Sequence, residues 1–64
     1  MYTAYVILGD VTYILSESDN MAGAILIALN NLIVKKRPDL SSSIECGRSC
    51  TFLNSRTWME LPSE

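Results

Sequence analysis

The sequence predicts an α+β fold, a ββαββ chain whose one helix lies across a small antiparallel sheet. Three observations predict it: alternation on both sides of Gly9-Asp10, an apolar stretch of helical period that stops before Pro38, and two short alternating runs near the cysteines. The chain has 64 residues, enough for a single domain, 1–64, with an ordered core from about residue 2 to 61. At that size the core is thin, and a second subunit is one way to add stability.

The first hairpin is read from "AYVILGDVTYIL". Glycine at the first central position suits a two-residue turn, because only glycine takes positive φ without a Cβ clash. Pairing Leu8 with Val11 sets Val6 against Tyr13 and Ala4 against Leu15, all six on one face. The opposite face carries Thr3, Tyr5, Ile7, Thr12 and Ile14, which is apolar for a solvent surface.

"SESD" at 16–19 has the form of a capping box, with Asn20 as an alternative cap, so the helix is expected from about residue 17 to 36. Pro38 disfavours helical geometry at Arg37 and ends it. Ala22, Ile25, Leu26, Leu29, Leu32 and Ile33 recur at helical spacing, and this stripe is expected to pack on the sheet. A second stripe of Gly23, Ile27, Asn30, Asn31 and Val34 stands where a solvated helix would carry Lys and Glu. With the small Ala24 and Ala28 allowing close approach, it predicts a homodimer built on the helix or on the apolar outer sheet face.

After the "RPDLSSS" connector, "SIEC" and "CTFL" predict a second hairpin around Gly47-Arg48-Ser49, and "RTWMEL" a continuing strand. That hairpin would set Cys46 opposite Cys50 as reduced core or edge thiols, with a cross-strand disulfide the alternative. A structural zinc site needs four Cys or His ligands, and the chain has two Cys and no His. The C-x3-C spacing is not the redox C-x-x-C. No metal or cofactor is expected.

Without histidine, paired carboxylates or a glycine-rich phosphate loop, no catalytic site is legible and a non-enzymatic role is expected. A net charge of −2 with scattered acids argues against nucleic acid as the main partner. The alternative is a small nucleic-acid-binding regulator using Lys35-Lys36-Arg37 and Arg48, with Tyr2, Tyr5, Tyr13 and Trp58 as stacking surfaces. Protein binding is favoured, because Arg56, Trp58 and Met59 are residue types concentrated at interfaces and lie together in "SRTWMEL". The longest apolar run is too short to span a bilayer, and "MYTAYVILGD" lacks the basic start of a secretory signal, so a cytoplasmic protein is expected. In size and type, though in no residue motif, the chain resembles small phage-encoded inhibitors of the anti-CRISPR and anti-defence kind. That likeness implies an inhibitor or modulator of a host complex, acting in the host cytoplasm.

Overall fold

Gly9 closes the first hairpin as the turn chemistry demands: at φ 64° it is the one described glycine in the left-handed region. The structure, a computed structural model, describes residues 1–50 and 58–61, with only the backbone of Trp58 and Glu60. Strand β1 (Tyr2–Leu8) and strand β2 (Val11–Ser18) are antiparallel, with Leu8 opposite Val11 and Val6 opposite Tyr13. The expected pairing of Ala4 with Leu15 does not form. A bulge at Leu15 slips the register, and Ser16 stands opposite Ala4. Two hydrogen bonds tie this part of β2 to the helix that follows. The Asn31 side-chain amide donates to the Leu15 carbonyl, and the Ser16 hydroxyl donates to the Ala24 carbonyl.

Helix α1 covers Met21–Val34, shorter at both ends than the expected 17–36. Ser16, Glu17 and Ser18 stay extended because they pair with Ala4, Thr3 and Tyr2. The cap is therefore Asn20, whose side-chain oxygen accepts from the Gly23 amide at 2.6 Å, and not Ser16. At the other end Lys36 takes φ 61°, with Lys36 N–H on the Ile33 carbonyl (3.1 Å) and Arg37 N–H on the Leu32 carbonyl (2.8 Å). This is a Schellman closure with lysine where glycine is usual. Pro38 then opens a short 3-10 helix, Pro38–Ser43, that buries Leu40.

Strand β3 (Glu45–Arg48) lies antiparallel on the far side of β1, with Cys46 opposite Ala4, Gly47 opposite Thr3 and Arg48 opposite Tyr2. The expected second hairpin around Gly47-Arg48-Ser49 is thus corrected. Gly47 and Arg48 belong to a strand, because β1 offers them an open edge to pair with. The "TFL" half of that expected hairpin falls outside the described residues. Three antiparallel strands and one helix make this a small α+β protein. A three-residue strand β4 (Trp58–Glu60) runs parallel beside β2, giving the sheet order β3-β1-β2-β4 in place of an all-antiparallel one.

The core holds Ala4, Val6, Leu15, Ala24, Ala28, Leu32, Leu40 and Leu61. From the helix it takes Leu32, as the expected stripe has it, together with Ala24 and Ala28; of the rest of that stripe Ile25 and Leu29 are half-buried and Ala22, Leu26 and Ile33 exposed. Alanine on both helix and sheet lets the two backbones approach closely, which the larger side chains would prevent. The helix is turned so that Ala24 and Ala28 face in beside Leu32, while Leu26, Ile33 and Val34 face out. Among the described residues, no helix is long and apolar enough to cross a membrane.

Candidate functional site

Fourteen consecutive residues, Met21 to Val34, contain no charged side chain, so nothing in the sequence of α1 marks a solvent face. One side of it must nonetheless face outward, because the sheet covers only the Ala24, Ala28 and Leu32 side. Leu26 is 67% exposed, Ile33 68% and Val34 66%, with Ile27 and Met21 each 46% exposed. Ala22 and Asn30 are also exposed, and Ile25 and Leu29 are half-buried at the margin. Scattered exposed apolar residues are normal on any protein; a continuous uncharged face on one helix is not.

Of the residues expected at an interface, Ile27, Asn30 and Val34 lie on this outer face. Gly23 and Asn31 are drawn toward the sheet instead. A Cβ at Gly23 would come within 2.7 Å of the Ser18 hydroxyl, and Asn31 is engaged with the Leu15 carbonyl. Met59 is 54% exposed on the edge strand. Trp58 is placed only by its backbone opposite Thr12, and Arg56 lies outside the described residues. Spacing alone puts Leu26 and Ile33 in the core stripe, so their place on the surface is what sequence reasoning misses. The signal that could have found it is side-chain size, since a face bearing Ala24 and Ala28 suits close packing on a sheet.

The remaining chemistry-bearing groups do not converge. Cys46 and Cys50 are free thiols here, the first half-buried in β3 and the second exposed beyond its end. The Thr3 hydroxyl, fully buried, contacts the Ser49 hydroxyl and lies 3.3 Å from a Glu17 carboxylate oxygen, an arrangement that fastens β3 to the hairpin. A cleft of about 310 Å³ opens between β2 and the C-terminal half of α1, with Glu17, Asn31 and Lys35 on its walls. Among the described residues, no three Cys, Asp or Glu gather as metal ligands would.

The basic residues are also separated. Arg48 pairs in register with Tyr2, which pairs with Ser18 beside the start of α1, while Lys35, Lys36 and Arg37 follow its other end. A helix of this length holds the two groups about 20 Å apart. Arg37 is further engaged by Asp39 at 3.5 Å. No family model, curated protein or solved structure matches the chain.

Proposed function

We propose that the protein is a non-enzymatic binding protein that inhibits or modulates another protein, with the outer face of α1 as its contact surface and Met59 on the β4 edge as an accessory. The observation that supports this reading is the uncharged exposed face of Leu26, Ile27, Ile33 and Val34. Leaving such side chains in water forfeits roughly 1.5 to 3 kcal/mol each relative to burial, and a protein partner recovers it. The same reading takes the chain, β4 counted as a full strand, as a ββαββ unit that is a homodimer when free and exchanges its second copy for the partner. It also keeps the phage anti-defence setting in a host cytoplasm. A nucleic-acid regulator is less favoured, since its basic residues stand at opposite ends of the helix.

Affinity capture from a lysate treated with nuclease tests the class of partner. Leu26→Glu and Ile33→Glu should abolish capture, whereas Lys35→Glu with Lys36→Glu should leave it within about twofold. Capture that disappears on nuclease treatment, or that follows the lysines and ignores Leu26, contradicts the reading and favours nucleic acid. Salt separates the two as well, because phosphate contacts weaken steeply as salt rises.

A further inference from the structure

We propose that the occupant of the outer face of α1 in the free protein is a second copy of the same helix, packed antiparallel about a two-fold axis. This rests on the reading of that face as a protein-binding surface and names what covers it.

The spacing along the outer side of α1 supports it, where Ala22, Leu26 and Ile33 are exposed and Leu29 is half-buried between them. Ala22, Leu26, Leu29 and Ile33 are separated by four, three and four residues, the seam that helices use to pack side by side. The seam is symmetric about the middle of α1, between Ile27 and Ala28: Ala22 stands as far from it as Ile33, and Leu26 as far as Leu29. Two copies laid antiparallel with full overlap therefore set each Ile33 over the small Ala22 of its partner and each Leu26 against a Leu29. An isologous interface requires such self-complementarity.

Charge supports the same orientation. Asp19 precedes the helix, Lys36 follows it, both are exposed, and they too are equidistant from its middle. Antiparallel packing brings the acidic start of one helix beside the basic end of the other and opposes the two helix dipoles; parallel packing would juxtapose like charges. The uncharged face itself offers no repulsion to a copy. Its aliphatic side chains Leu26, Ile33 and Val34 are each about two-thirds exposed, which leaves a contiguous apolar surface for the second copy to cover.

Analytical ultracentrifugation of the full chain from micromolar to hundreds of micromolar tests the association. The wild type is expected to sediment as a dimer. Leu26→Glu and Ile33→Glu, each checked for an unchanged circular dichroism spectrum, should weaken association by more than about a hundredfold. For orientation, and in case a glutamate prevents folding, cysteines are introduced on a Cys46→Ser, Cys50→Ser background. Chains carrying Ala22→Cys mixed with chains carrying Ile33→Cys should form a disulfide dimer under mild oxidation, and neither chain alone should do so. A wild type that stays monomeric throughout, or cross-links only between like positions, overturns the proposal. If the monomer's capture of another protein still depends on Leu26, the binding reading survives that failure. A dimer alongside capture indifferent to Leu26 supports the self-association and removes the wider reading.

Discussion

Asn31, with Asn30 one of two asparagines on α1, donates from its side chain to the carbonyl of the bulge residue Leu15. Asn31→Ala should cost about 1 to 3 kcal/mol in urea unfolding, since it strands a partly buried acceptor; no loss would show that water replaces it. Thr12 is the converse case, a fully buried hydroxyl with no partner among the described residues. Thr12→Val keeps the shape and removes the desolvated oxygen, so it should stabilise by about 1 kcal/mol. Lys36 holds a left-handed conformation that costs a non-glycine residue about 1 kcal/mol. Lys36→Gly is therefore expected to raise stability by about 0.5 to 1 kcal/mol, read from the same urea midpoint, and a lowered midpoint would contradict this account of the cap. The turn at Gly9 was legible in the sequence because a two-residue turn depends only on its own residues. Lys36 was not, because nothing about lysine announces positive φ.

The elements divide along the same line between local and non-local causes. The hairpin and the existence of the helix were legible from alternation, period and Pro38. The face of the helix was not, because Asn30 and Asn31, adjacent in an uncharged helix, point to different sides and fix no polar face, and spacing alone favours the stripe with the larger residues. Size decides instead: Ala24 and Ala28 are fully buried against the sheet. The second hairpin failed because Gly47 reads locally as a turn, while pairing with Thr3 of β1 holds it in a strand. Substitution distinguishes the two faces. Ala28→Leu should destabilise by about 1 to 3 kcal/mol through overpacking, whereas Leu26→Ala should change the unfolding of the dilute chain by less than about 0.5 kcal/mol. If Leu26→Ala is the costlier of the two at low concentration, the helix is oriented as its large stripe suggested.

At the scale of the whole molecule, the protein places small residues at its centre and several of its largest aliphatic ones outside. A chain of 64 residues with three alanines among its buried apolar residues has little stability to spare alone. The fold and the exposed apolar face are then two consequences of one arrangement: the alanines let the helix settle on the sheet, and settling that way turns Leu26 and Ile33 outward. Of the candidate interface, Ile27, Asn30 and Val34 were legible as residues on an unusual helical side; the seam itself was not, since spacing alone cannot tell a sheet from a second helix as its partner. The most direct test is the dependence of the urea midpoint on protein concentration. If a second copy completes the fold, each tenfold rise in wild-type concentration should add about 1.4 kcal/mol of stability per mole of dimer, about 0.7 kcal/mol per chain, and Ile33→Glu should remove that dependence. A wild-type midpoint that is the same from one to hundreds of micromolar would contradict it.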